Sequence, residues 1–155
     1  MAGDFKGVES SRMVTIYTDG GLLGTHPDFA VASVGIHIQD DSPINHELAS
    51  HLQSVTGNLE ARPGGVDFSA LVSDECSTST RIERIAVAAA LTYRACINIK
   101  VDNQGAVDML QRIINIVEGR TIPYDTKPWG LLPDGDIGQV MEHIVRLRGP
   151  GTTSV

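Results

Sequence analysis

Three carboxylates stand where chemistry could be built. Asp19 follows the run Met13–Thr18, Glu83 sits within the stretch Thr78–Arg94, and Asp102 follows Ile97–Val101. Glu83 lies 64 positions beyond Asp19, and Asp102 a further 19. Each alone has an ordinary structural reading. Asp19 opens Asp-Gly-Gly, which favours a turn because Asp and Gly tolerate positive φ. Asp102 before Asn103 reads as a helix N-cap that accepts the first free N–H groups. Thr80-Arg81-Ile82-Glu83 fits a capping box, in which Glu83 bonds back to the backbone of Thr80. Ser77 and Thr78 are equally good caps, and a helix starting there puts Glu83 a full turn inside, beside Ile82 and Ala86. An acid on that side needs a partner or a cation.

The combination points elsewhere. The ends of adjacent strands in an α/β sheet form a common rim, so acids after two strands and one on a helix can converge there. Packed carboxylates raise one another's pKa values unless cations intervene. Such a cluster suits two hard cations about 3.5–4 Å apart, one acidifying an attacking water and the other stabilising a leaving oxygen in phosphoryl chemistry.

The elements that must position these acids are legible in the patterning. Met13–Thr18 is β-branched and aromatic, a strand running into the Asp19-Gly20-Gly21 turn, and Ala30–Ile38 is a second strand. Residues 40–65 read as a long polar connection, with a short pairing around His51–Thr56. Val66–Val72 is a third strand. Thr78–Arg94 is a helix, with Ile82, Ile85, Ala86, Ala89, Ala90 and Tyr93 spaced three and four apart. Ile97–Val101 is a strand. Gly105–Val117 is a helix with Val107, Leu110, Ile113, Ile114 and Val117 buried. Residues 118–134 are a loop. Asp136–Arg148 is a third helix with Ile137, Val140, Met141, Ile144 and Leu147 as its stripe and a capping box of Asp136 with Gln139. Gly149-Pro150-Gly151 stops it, and Thr152–Val155 begins another strand. There is no internal repeat, and a mixed α/β sheet flanked by helices is the natural packing. Residues 1–12 read as a disordered lead-in and 13–155 as one domain. The chain stops where a strand should continue, so the reading is of a fragment.

The bulk properties agree. At 155 residues, 41% hydrophobic and 20% charged, the chain can bury a core and is not of disordered composition. No apolar run approaches the roughly 20 residues of a membrane helix, and residues 1–12 have no apolar core of a signal peptide. Cys76 and Cys96 make no C-x-x-C pair and read as free thiols of an intracellular protein, cytoplasmic or nuclear. The five histidines show no metal-ligand spacing on any one helix. A net charge of −7 argues against holding nucleic acid by bulk electrostatics, but not against an acidic cluster neutralised by cations.

At these residues the sequence resembles ribonuclease H. Val14-Thr15-Ile16-Tyr17-Thr18-Asp19-Gly20-Gly21 is similar to that family's first strand and leading aspartate. Thr78-Ser79-Thr80-Arg81-Ile82-Glu83, with Ala86, Ala89, Ala90 and Leu91, is similar to its first helix. Ile97-Asn98-Ile99-Lys100-Val101-Asp102-Asn103 is similar to its fourth strand. The stretch from Lys127-Pro128-Trp129 through Asp134-Gly135-Asp136 to Gly151 resembles the domains attached to retroelement reverse transcriptases. The resemblance implies a ribonuclease H-like fold whose last strand and helix are missing. It implies an endonuclease that cuts the RNA strand of RNA–DNA hybrids, leaving 5′-phosphate and 3′-hydroxyl ends. Asp19, Glu83 and Asp102 would be catalytic and hold two Mg²⁺ or Mn²⁺ ions. Gly20, Gly21 and Asn103 would be substrate-binding, the backbone around Gly20, Gly21 and Gly24 being a candidate surface for close approach to the hybrid, and selection of RNA would depend on reading the 2′-hydroxyl. The expected context is a larger reverse-transcriptase polyprotein, with no membrane partner.

The chain departs from the family pattern in ending before a histidine-bearing loop and a fourth aspartate. It also lacks a Lys-rich protrusion, since residues 118–135 hold only Arg120 and Lys127 as basic residues. Two rivals follow. A non-catalytic scaffold or remnant of the same fold fits the acidic charge. A nucleotide-binding ATPase half would need a second Gly-rich phosphate loop, which is absent. Trp129 could stack on a base, though packing is the commoner use of a loop Trp.

Overall fold

The computed structural model describes residues 7–26, 29–39, 58–74, 78–121 and 127–155, without the side chains of 23–30 and 73–74. Strand β1 (Ser10–His26) pairs antiparallel with β2 (Phe29–Gln39). Strand β3 (Asn58–Arg62) forms a hairpin with β4 (Gly65–Asp74), and β4 pairs antiparallel with β2. Helix α1 (Ser79–Ala90) leads to β5 (Ala95–Lys100), which lies parallel to β1 on its other side. Helix α2 (Gln104–Val117), a 3₁₀ turn (Trp129–Leu131) and helix α3 (Gly135–Arg148) follow, and β6 (Thr153–Ser154) adds parallel to β5. The sheet order is β3-β4-β2-β1-β5-β6. The described residues form a mixed six-stranded α/β sheet with three α-helices, consistent with a ribonuclease H-like fold.

Alternation decides which face of the sheet is covered. Val14 and Ile16 of β1, Val34, Ile36 and Ile38 of β2, Val66 and Phe68 of β4, and Ile97 and Ile99 of β5 are all buried. They pack with Ile82, Ala86 and Ala90 of α1, Leu110 and Ile113 of α2, and Met141 and Ile144 of α3 in one core. Each such aliphatic side chain contributes about 1.5–3 kcal/mol relative to exposure. Residues one step out of phase, Met13 and Tyr17 of β1 and Leu71 of β4, are exposed, Leu71 to 73%. Two members of the expected α3 stripe, Val140 and Leu147, are also exposed, because the buried face of the helix runs through Ile137, Met141, Ile144, Val145 and Arg148.

Arg148, 4% exposed, pins the end of α3 to the sheet. Its guanidinium donates to the carbonyl oxygens of Leu91 (2.9 Å), Tyr93, Ala95 (2.5 Å) and Thr152 (3.2 Å), and its Nε to Thr153 Oγ1 (2.8 Å). Burial pushes its pKa down to about 10, still charged at neutral pH.

Several boundaries differ from the sequence reading. Ser10–Arg12, placed in the lead-in, belong to β1, where Ser10 pairs with Ala95. The first strand does not turn at Asp19-Gly20-Gly21 but runs on to His26, because β2 pairs along its whole length. Strand β3 arises inside the expected connection, while the pairing expected at His51–Thr56 lies outside the described residues. Helix α1 ends at Ala90, four residues before the expected Arg94, as Leu91 caps it and the backbone turns into β5. The strand expected at the end of the chain is β6. Cys96 is a free, half-buried thiol, and Cys76 lies outside the described residues.

Candidate metal centre

Parallel pairing of β1 with β5 runs out at Tyr17 and Lys100. Asp19 and Asp102 each lie two residues beyond that pair, so the register alone brings them to one rim. Asp19 is not in a turn; it faces Gly35 of β2 within the antiparallel ladder. Asp102 is not the helix cap either. Asn103 takes that role, its Oδ1 accepting from the Ala106 N–H at 3.0 Å, which leaves the Asp102 carboxylate exposed at the rim.

Glu83 arrives from the helix side. Thr78 caps α1 by accepting from the Arg81 N–H at 3.1 Å, so Glu83 stands one full turn inside and makes no capping box with Thr80. It is only 6% exposed, and its Oε2 is buried with no hydrogen-bond partner among the described residues. Burial raises its pKa, and the charges of Asp19 and Asp102 raise it further, against a hydrogen bond from the Gly20 N–H that lowers it. Carboxylate oxygens of Asp19, Glu83 and Asp102 all lie within 4.8 Å of one another. A buried carboxylate grouped with two further acids is costly to keep ionised unless a cation joins it, and an all-oxygen donor set suits a hard divalent ion. The acidic triad is thus close enough to bind a metal.

Gly20 explains how α1 comes so near. A Cβ there would lie 2.7 Å from the Glu83 backbone nitrogen and 2.8 Å from the Ile82 carbonyl carbon, so no other residue fits without moving the helix. Gly20 therefore supports the cluster, with its missing side chain facing α1 and its N–H given to Glu83. At Gly21 a Cβ would meet only Ser33 Oγ, at 3.4 Å. Asn103 caps α2, and its Nδ2 is 3.5 Å from Thr80 Oγ1.

Two features beside the triad escaped the sequence reading. The first is an ionic network across three helices. Arg81 reaches Asp134 (3.2 Å) and Asp136 (2.8 Å), and Arg84 reaches Asp134 (2.6 Å) and the Gly105 carbonyl (3.2 Å). Asp136 is consequently an Arg81 partner rather than half of a capping box, and the Arg81 hydrogen bond lowers its pKa to about 2. Helix α3 starts instead from Asp134, whose backbone is left-handed (φ 54°) and whose side chain makes no cap bond. The second is an open cavity of about 400 Å³ that Asp19 shares with Tyr17, His37, Arg62 and Asp67. There His37 Nδ1 meets Asp67 Oδ1 at 2.5 Å, while Arg62 holds the other Asp67 oxygen at 2.6 Å. No spacing rule could have paired them, because β2 and β4 bring His37 opposite Asp67.

Trp129 packs. Its indole N–H donates to Glu142 at 2.5 Å, and the Arg112 guanidinium lies 4.5 Å above its ring centroid. Of the two basic residues in 118–135, Arg120 pairs with Glu118, and the Lys127 carbonyl accepts from Arg112.

No protein-family model matches this chain, and no curated protein matches it significantly. No helix among the described residues is long and apolar enough to cross a membrane.

Proposed function

We propose that this chain is a ribonuclease H-type, metal-dependent endoribonuclease domain that hydrolyses the RNA strand of RNA–DNA hybrids. The observation that carries the reading is the buried Glu83, whose Oε2 has no hydrogen-bond partner among the described residues and whose carboxylate clusters with Asp19 and Asp102 at the rim of a mixed sheet in the order β3-β4-β2-β1-β5-β6. In this reading Asp19 and Asp102, both exposed, face the substrate phosphate, and Glu83 closes the cluster from behind. Two Mg²⁺ or Mn²⁺ ions there would supply Lewis acidity to the phosphodiester and acidify the attacking water. They would also reconcile a net charge of −7 with a polyanionic substrate. The surface around Gly21 and Asn103 is proposed to lie along the hybrid, within a larger reverse-transcriptase polyprotein.

The test is a labelled RNA–DNA hybrid incubated with the chain and either Mg²⁺ or Mn²⁺. Cleavage should leave 5′-phosphate ends, and Asp19→Asn should lower the rate by at least about 100-fold, beyond what outer-sphere changes typically cost. An intact hybrid in both metals, with Mn²⁺ binding retained, would favour the non-catalytic module to which the acidic charge also points.

A further inference from the structure

Arg84 stands next in sequence to Glu83, yet its side chain crosses to two other helices. Its Nε and Nη2 both point at the Gly105 carbonyl, at 3.4 and 3.2 Å, in the first turn of α2, three residues beyond Asp102. Its Nη1 donates to Asp134 Oδ2 at 2.6 Å and to the Pro133 carbonyl at 3.3 Å, at the start of α3. The side chain is only 14% exposed, so these bonds are not those of a solvated surface arginine. At the same contact a Cβ on Gly105 would come within 2.9 Å of Thr80 Cγ2 and 3.4 Å of Arg84 Nη2. Helix α1 and the start of α2 are therefore in tight contact beside Arg84.

We propose that Arg84 is a positioning residue for the carboxylate cluster, fixing Glu83 of α1 against Asp102 by gripping the first turn of α2, three residues after Asp102. The inference rests on the metal-centre reading. Like charges on Glu83, Asp19 and Asp102 push α1 away from the β5–α2 junction, and a guanidinium fork bridging the two opposes that push. Arg is suited to the task because its planar donors serve two acceptors at once, whereas Lys offers a single point charge. Arg81 is the internal control. Its bonds to Asp134 and Asp136 join α1 to the start of α3.

The experiment is calorimetric titration of the metal-free protein with MnCl₂, alongside thermal unfolding without metal. The proteins are the parent chain, Glu83→Gln, Arg84→Lys, Arg81→Lys and Gly105→Ala. Arg84→Lys should weaken Mn²⁺ binding by about 10–100-fold, the range of a supporting partner behind a metal ligand. Arg81→Lys should lower the melting temperature while leaving Mn²⁺ affinity within about threefold, well short of a supporting-partner effect. Gly105→Ala, which keeps Arg84 but puts a methyl 2.9 Å from Thr80 Cγ2 and 3.4 Å from Arg84 Nη2, crowds the grip and should also weaken Mn²⁺ binding, and it serves if Arg84→Lys fails to fold. Parent-like affinity in Arg84→Lys, or in Gly105→Ala if that variant must stand in, overturns the positioning role. So does an equal loss of affinity in Arg81→Lys. If the parent binds no Mn²⁺ that Glu83→Gln removes, the metal-centre reading itself fails, and the positioning role with it.

Discussion

Gly20 and Glu83 meet backbone to backbone across the β1–α1 interface. The Gly20 N–H donates to the Glu83 carboxylate, and the space a Cβ would need at Gly20 is filled by the helix, 2.7 Å from the Glu83 nitrogen. Strand and helix are thus in contact at the one place where the buried acid must be presented to the rim.

Gly20→Ala should displace α1, because the obstructing atoms are mainly backbone and cannot rotate away. Overpacking of this kind typically costs about 1–3 kcal/mol. Urea unfolding should show that loss, and Mn²⁺ binding should weaken with it. A variant of parental stability and affinity would mean that the interface yields elsewhere.

Divalent cations should raise the melting temperature of the parent chain, since binding to the folded state alone stabilises by about 2.7 kcal/mol at a hundredfold excess over Kd. Asp102→Asn should do two opposite things. It removes a repelling charge and so raises the melting point without metal, and it removes an anionic ligand and so flattens the response to Mg²⁺ or Mn²⁺. Differential scanning with and without cation separates them; an unchanged response in the variant would locate the ions elsewhere.

The pH dependence follows from Glu83, whose carboxyl lies above its ordinary value through burial and then through Asp19 and Asp102. A raised folded pKa means the native state holds this proton more tightly than the unfolded chain. The stabilisation is complete below the ordinary glutamate value of 4.5 and fades as pH rises through the raised one. Metal-free protein should therefore lose stability from mildly acid pH towards neutrality, and Glu83→Gln should remove that slope. A slope that survives the substitution points to another group.

Asp136 runs the other way. Its pKa is lowered from 3.8 to about 2, first by the Arg81 hydrogen bond. Its contribution is present above the unfolded value and lost as pH falls through about 2. Because the side chain is exposed to 65%, solvent screens the pair and the effect should be small. Melting points at pH 6 and pH 2 should differ less in Asp136→Asn than in the parent.

Arg148→Lys should destabilise far more than an ordinary conservative change. One ammonium cannot serve the carbonyls of Leu91, Tyr93, Ala95 and Thr152 together, and buried carbonyl oxygens lose partners. Leaving a buried acceptor unpaired costs about 1–3 kcal/mol, so a total above about 3 kcal/mol in denaturant unfolding is expected. A loss below about 1 kcal/mol would show that the strands satisfy these carbonyls without Arg148.

Much of this was legible in the sequence, and the misreadings have physical causes. The apolar spacing of Ile82, Ala86 and Ala90 marked α1, and the three acids were placed together from strand ends and helix face. Asp19-Gly20-Gly21 read as a turn because glycine's local signal is flexibility, whereas Gly20 answers to a helix more than sixty residues away. Strand β3 was missed because Asn58, Glu60 and Arg62 are solvated on an edge, leaving no buried alternation to detect. Asp102 and Asn103 are both good caps, and only the backbone decided for Asn103. Arg84 gave no signal, since an arginine beside a glutamate on a helix is unremarkable until its distant acceptors are known.

The parallel register of β1 and β5 sets the order in which the cluster can be assembled. The β1–β2 and β3–β4 hairpins join neighbouring segments, but Ile16 must find Ile99 across more than eighty residues. Contacts of such separation form slowly, because loop closure comes before the gain in contacts. Asp19 and Asp102 therefore become neighbours only once the least local pairing of the sheet has closed. A cation gripping both would act as a late latch, absent from the folding transition state. It should leave the folding rate unchanged and slow unfolding, so that metal extends the lifetime of the native state rather than hastening its arrival.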